Sequence, residues 1–119
     1  MYTNIKNLPE GRNYFTERGY SQSYPWVEVS RSPSGKTVKL ARVFVAKDPE
    51  WVPNFIVGGF CAHCDNQQDQ TWLFKSFGHE GPIPNFIPTI TVRLTKKGWA
   101  RKGVRFDEGR AIEFYDYNF

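Results

Sequence analysis

Thr37-Val38-Lys39-Leu40-Ala41-Arg42-Val43-Phe44-Val45-Ala46-Lys47, residues 37–47, reads as one strand whose apolar parity changes midway. Val38 and Leu40 occupy even positions, whereas Val43 and Val45 occupy odd ones. Side chains alternate across a strand, so this change requires either a bulge near Ala41-Arg42 or a strand buried on both faces. Strand bending of the first kind is common in small barrels, and a two-faced central strand is the alternative.

The neighbouring segments agree. Residues 24–31 form an apolar strand, with Trp26 and Glu28 on one face and Val27 and Val29 on the other. Ser32-Pro33-Ser34-Gly35-Lys36 then reads as a hairpin loop. Residues 55–57 and 71–76 give two further strands, the second with Trp72 and Phe74 on one face. The cleanest alternation is 89–95, with Ile90, Val92 and Leu94 facing inward between Thr89, Thr91, Arg93 and Thr95. A last hairpin arm is read at 111–115.

Composition points the same way. The chain has 119 residues, 39% of them apolar and 17% aromatic. Its apolar content is carried by Val, Ile, Phe, Tyr and Trp, which favour strands, with 10 glycines and 8 prolines for turns. The expected fold is all-β: a small single-domain barrel, SH3-like, or a compact sandwich, of five or six short strands. Residues 1–23 read as an N-terminal arm, with Asn13-Tyr14-Phe15 able to add a short edge strand, and 24–119 as the β-rich domain.

The formal charge is +4, which suits an anionic partner and equally a merely soluble protein. No run approaches the ~18 apolar residues of a membrane span. Met1 to Glu10 lacks the apolar core of a signal peptide, so the protein is expected in the cytoplasm, with both cysteines as thiols.

The densest chemistry lies in Gly58-Gly59-Phe60-Cys61-Ala62-His63-Cys64-Asp65-Asn66-Gln67-Gln68-Asp69-Gln70-Thr71-Trp72. Cys61, His63, Cys64 and the distant His79 make one metal knuckle and a straggler, whereas structural zinc sites present two paired knuckles. The commoner fate of such cysteines is burial as small apolar groups, so no metal or cofactor is expected. His63 and Cys64 would point to opposite faces of a strand and form no dyad with each other, though Cys64 with His79 stays open. The amide run 65–70 offers donors and acceptors to a polar ligand, or forms a solvated loop. His63, Cys64, Asn66, Gln67 and Trp72 are the candidate partner- or ligand-binding residues.

A second candidate surface is basic. Lys96, Lys97, Arg101, Lys102 and Arg105 surround Trp99, the combination of phosphate-binding charge and stacking ring that a nucleic-acid interface uses. An ordinary solvated hairpin accounts for the same residues. The ending Phe114-Tyr115-Asp116-Tyr117-Asn118-Phe119 is too apolar to be left loose and should pack on the core or join a partner-binding patch.

Trp51 after Asp48-Pro49-Glu50, then Gly58-Gly59-Phe60, His63-Cys64, Asn66-Gln67, Trp72 and the FYDYNF ending together resemble a set of small uncharacterised proteins from phages and other mobile elements. The resemblance runs from Tyr24 to the end and leaves Cys61 outside the shared pattern. It implies no particular chemistry. It does imply a context in which small proteins without enzyme motifs commonly inhibit host defence, as anti-CRISPR proteins do, or act as regulators. The first expectation is therefore a binding protein directed at a host protein. A nucleic-acid-binding β-module using the 93–110 segment is the alternative, and an enzyme or ligand-binding domain centred on His63 and Cys64 is the third.

Overall fold

The structure is a computed structural model that describes residues 1–58, 61–79 and 86–118, with backbone alone at 58, 61 and 62. It is all-β. The strands are β1 (Tyr2–Thr3), β2 (Ile5–Lys6), β3 (Tyr14–Arg18), β4 (Ser23–Arg31), β5 (Thr37–Lys47), β6 (Phe55–Gly58), β7 (Cys61–Cys64), β8 (Trp72–Phe77), β9 (Thr89–Thr95), β10 (Gly98–Arg101), β11 (Val104–Glu108) and β12 (Arg110–Ala111).

Six of these close a barrel in the order β5-β4-β3-β11-β10-β9, and β9 returns to β5. Every neighbouring pair in the ring is antiparallel. The barrel interior holds Phe15, Val38, Leu40, Val92, Trp99 and Phe106, with Trp26, Ile90 and Val104 packed on them. The barrel branch of the expected fold is the one observed.

The parity change in β5 is explained by burial on both faces. Val38 and Leu40 point into the barrel, whereas Ala41 and Val43 join a second core with Ile5, Tyr14, Val27 and Ala111. One edge of β5 pairs with β4. The other edge is divided: β9 takes Thr37 to Ala41, and β8 takes Val43 to Lys47. Gly78 N–H donates to the Arg42 carbonyl at 2.6 Å, which marks the changeover. Gly78 itself has φ +75°, and a Cβ there would lie 2.1 Å from Ile87 Cγ2, so the turn out of β8 needs glycine. No register shift falls at Ala41-Arg42. The bulges are at Val29, between Glu28 and Ser30, and in β8 opposite Phe44 and Val45. The first leaves Val29 exposed rather than paired with Val27 on a buried face.

Residues 1–23 are not an arm. β3 is a barrel strand with β4 on one side and β11 on the other, not an edge strand. β1 pairs in parallel with β12, and β2 in parallel with β8, so the N-terminus is woven through the outer layer. Tyr14, Val27 and Ala41 stand in one cross-strand row under that layer, and all three are buried. Two smaller expectations also change. Leu94 lies at the barrel rim and is exposed. The segment after β12 forms no hairpin arm; among the described residues its one β-bridge to a strand is Ser23 to Phe114.

Two-faced burial has a direct consequence. Leu40→Ala and Val43→Ala point to opposite faces, and each is expected to cost about 2–4 kcal/mol through lost burial and a residual cavity. Urea midpoints measure this; a Val43→Ala protein as stable as wild type would contradict the second core.

Candidate functional site

The segment 112–118 lies across the molecule with almost no strand pairing, yet seven successive backbone N–H groups are bonded. Ile112 donates to Thr16 Oγ1, Glu113 to Asn4 Oδ1, and Phe114 to the Ser23 carbonyl. Tyr115 donates to Gln70 Oε1, Asp116 to Gln22 Oε1, Tyr117 to Gln67 Oε1, and Asn118 to Asp116 Oδ1. Backbone polar groups withdrawn from water need partners, and here side-chain amides supply most of them.

Two of those amides, and the side chain of Asn118 within the segment, imitate a strand neighbour. Asn4 accepts from Glu113 N–H at 3.1 Å and donates to its carbonyl at 2.7 Å. Gln70 does the same with Tyr115, at 2.8 and 3.0 Å. Asn118 does it with Cys64, at 2.8 and 2.9 Å. Gln70 is only 2% exposed, and its amide is saturated: it also accepts from Trp72 Nε1 and donates to the Gln67 carbonyl.

The structure therefore brings Cys64, Asn66, Gln67 and Trp72 together, as parts of the clamp on the C-terminal segment. The Cys64 side chain is buried, and its thiol donates to Asn66 Oδ1 at 3.3 Å. Asn66 also accepts from Asn54 N–H and donates to the Val52 carbonyl, tying the foot of the β6–β7 hairpin. His63 is exposed and stands opposite Ile56, while Cys64 stands opposite Phe55, so the two chemical groups face apart. The Cys61 side chain, Gly59, Phe60 and Phe119 lie outside the described residues.

Above the clamp sits a cluster of rings. Tyr117 lies 5.6 Å from Trp51, 6.2 Å from Phe55 and 4.7 Å from Tyr115 between ring centroids. Trp51, Pro53, Trp72 and Tyr117, with Lys47, Asp48 and Thr71, line a pocket of about 90 Å³. That is roughly the space of three water molecules, enough for one small side chain. Asp48 forms its charged corner: it accepts from Lys6 Nζ at 2.8 Å, Thr71 Oγ1 at 2.7 Å and Glu50 N–H at 3.0 Å. Lys6, Thr71 and that N–H hold its carboxyl down to about 2. Beside the pocket, β6 presents Phe55, Ile56 and Val57, which are 49%, 51% and 82% exposed. Among the described residues β6 pairs only with β7.

The basic candidates are separate from this site. Lys96, Lys97, Lys102 and Arg105 are exposed and Arg101 is half-buried, on the turns and strands of β9–β11. Trp99 is not available for stacking. It is 7% exposed, meets Phe15 edge-on at 5.5 Å inside the barrel, and donates its indole N–H to Glu108. Alternation along β10 turns it inward, because its neighbour Ala100 faces out.

Gln70, Asn4 and Asn118 carry no recognisable functional pattern in the sequence. Gln70 belonged to an amide run readable as a loop, and its pairing partner is 45 residues away. No helix among the described residues is long and apolar enough to cross a membrane. Compared with known family models, curated proteins and solved structures, the chain has no match.

Two measurements test the clamp. Gln70→Leu leaves Tyr115 N–H and C=O and Trp72 Nε1 without partners, while the Gln67 carbonyl keeps the Gln70 backbone N–H, and the change is expected to cost about 3 kcal/mol. Amide exchange at Tyr115 and Tyr117 should accelerate while Leu40 in the barrel stays protected; unchanged exchange at both tyrosines would refute the clamp. The second concerns Glu113, whose carboxyl is raised to about 7 by burial, only partly offset by Arg42 at 3.5 Å. The folded state then binds a proton that the unfolded chain has released above about 4.5, so this group's contribution to stability falls as pH rises from about 4.5 through 7. Glu113→Gln should flatten that fall, by up to about 3 kcal/mol between pH 5 and pH 8. Both pH values lie above the Asp48 range, where stability is lost only as pH drops below about 4 toward 2. An identical slope in the two proteins would disprove the assignment.

Proposed function

We propose that this chain is a small protein-binding protein, acting as an inhibitor of a host protein in the manner implied by its resemblance to phage and mobile-element proteins. Host defence, including CRISPR effectors, is the target class that context favours. The observation that carries the reading is the run Phe55-Ile56-Val57, three successive large apolar residues left exposed on a strand that, among the described residues, pairs along one edge only. Exposed apolar area of this kind is avoided on a free surface unless a partner covers it.

The adjoining rings support the same reading. Interface hot spots are rich in Trp and Tyr set around a pocket, and Trp51, Trp72 and Tyr117 surround one of a size to accept a single apolar side chain. Tyr115, half exposed, extends the patch. Asp65, Asp69 and Asp116 lie in the segments at the foot of the hairpin, which suits a partner with a basic rim. The clamp gives this surface its rigidity: with Tyr115 and Tyr117 fixed through their backbone, little ordering entropy remains to be lost on binding.

The test uses nuclease-treated host lysate and two baits, the wild type and Ile56→Asp/Val57→Asp. Both changed side chains are exposed, so the fold should persist, as circular dichroism checks. A discrete host protein retained by wild type and lost by at least tenfold with the variant is the expected result. The same proteins recovered equally by both baits would overturn the reading.

A further inference from the structure

Charge on this molecule is segregated. Eight of the 16 lysines and arginines, Lys36, Lys39, Arg93, Lys96, Lys97, Arg101, Lys102 and Arg105, belong to the β5–β9–β10–β11 side of the barrel. Residues 32–47 and 89–106 contain no aspartate or glutamate. Of the other eight cations, Arg42 and Lys47 also lie within 32–47, and the remaining six share the rest of the chain with all 12 acids. Among the described residues none of the eight takes part in an ion pair, whereas Lys6, Arg18, Arg31 and Arg42 all do.

Register turns this composition into a surface. Thr37, Arg93, Ala100 and Arg105 stand in one row across β5, β9, β10 and β11, and Lys39 stands beside Thr91 one step along. Their neighbours Val38, Leu40, Val92, Trp99 and Phe106 fill the barrel, so this row faces outward. Arg93 and Arg105 are two strands apart, about 10 Å, with only the small Ala100 between them. The turn after β9 carries Lys96 and Lys97, and the Leu94 N–H bond to the Lys36 carbonyl brings Lys36 to the same end. At the other end Lys102 and Gly103, both at positive φ, form a tight hairpin turn that projects Lys102.

We infer that this wall is a binding site for the phosphodiester backbone of duplex nucleic acid. Thr, Ala and Gly between the cations leave the wall low, so a broad polyanion can approach several charges at once. A duplex carries about one charge per 1.7 Å of axis, and binding releases the counterions condensed on it. With Trp99 inside the barrel, the wall row offers no ring for stacking unpaired bases, so contacts go to phosphate and carry no sequence preference. This surface goes beyond the protein-binding reading and shares none of its residues.

The experiment measures binding of a 24-base-pair DNA duplex, its RNA counterpart and a single strand of the same length, from about 50 to 200 mM salt. Both duplexes should bind with a log–log salt slope of several, about 0.9 per phosphate contacted. Arg93→Gln/Arg105→Gln should weaken duplex binding at least tenfold at low salt and lower the slope by about 2. Lys75→Gln, an exposed cation outside the wall, should leave binding unchanged, and thermal midpoints check that each variant is folded. No duplex binding at about 100 μM protein and low salt, equal weakening by Lys75→Gln and Arg93→Gln, or a strong preference for the single strand would each overturn the inference. None of those outcomes bears on Ile56, Val57 and the host-protein test.

Discussion

A strand has two edges and two faces, and β5 uses all four. One edge holds β4; the other is shared end to end by β9 and β8. One face fills the barrel, and the other supports the outer layer. Closure of the barrel and attachment of the second layer thus run through the same eleven residues. The handover at Arg42 is where the two halves meet. Arg42 is half-buried there, its guanidinium over the rings of Tyr24 and Trp26 at 4.8 and 5.8 Å, and it donates to the Pro25 carbonyl. A cation at such a position stays tolerable because rings and a carbonyl replace part of its water.

The outer layer then faces a shortage of strand edges. β8 is flanked by β5 and the two-residue β2, and β12 pairs only two residues of β1. The segment 112–118 laid over this layer makes one ladder bridge among the described residues, Phe114 to Ser23, and its other N–H groups go to side chains. Asn and Gln solve this because a side-chain amide carries the same donor and acceptor as a peptide unit, at the end of a short rotatable stem. Asn4, Gln70 and Asn118 each pair with both polar groups of a single residue in this way. The arrangement also links two segments far apart in sequence: Cys64, Asn66, Gln67 and Trp72 on one side, Tyr115 to Asn118 on the other. The clamp is what joins them, with the rings of Trp51 and Tyr117 and strand β6 beside it.

Periodicity carried the local structure well, because burial in a sheet writes itself at period two. Val38, Leu40, Ile90 and Val92 were readable for that reason, and the parity change at Val43 already contained the two-faced strand as one of its two explanations. Non-local pairing was harder to read. β3 looks like an isolated short strand until β11, about 90 residues on, is placed against it. Trp99 illustrates a different limit: an aromatic among cations has the composition of a stacking surface, but its inward direction is set by register with Phe106 and Leu94. Gln70 was the least visible, since a buried, saturated amide and a solvated one are the same letter, and only the distant Tyr115 distinguishes them.

The two candidate surfaces sit toward opposite ends of β5. Lys39 in the basic wall and Lys47 at the ring-lined pocket are eight residues apart on one strand, roughly 27 Å at the usual rise. The screening length at physiological salt is about 8 Å, so the charge of the wall is felt weakly at the pocket. Local composition reinforces the separation: the wall segments have no acids, while Asp48, Asp65, Asp69 and Asp116 lie in or beside the segments that build the other end. A single rigid strand thus spaces two surfaces of different chemistry. A ligand on one need not compete with a ligand on the other, and both could be held at a fixed separation. The host-protein and duplex readings proposed above thus rest on surfaces that share no residue, with the barrel between them.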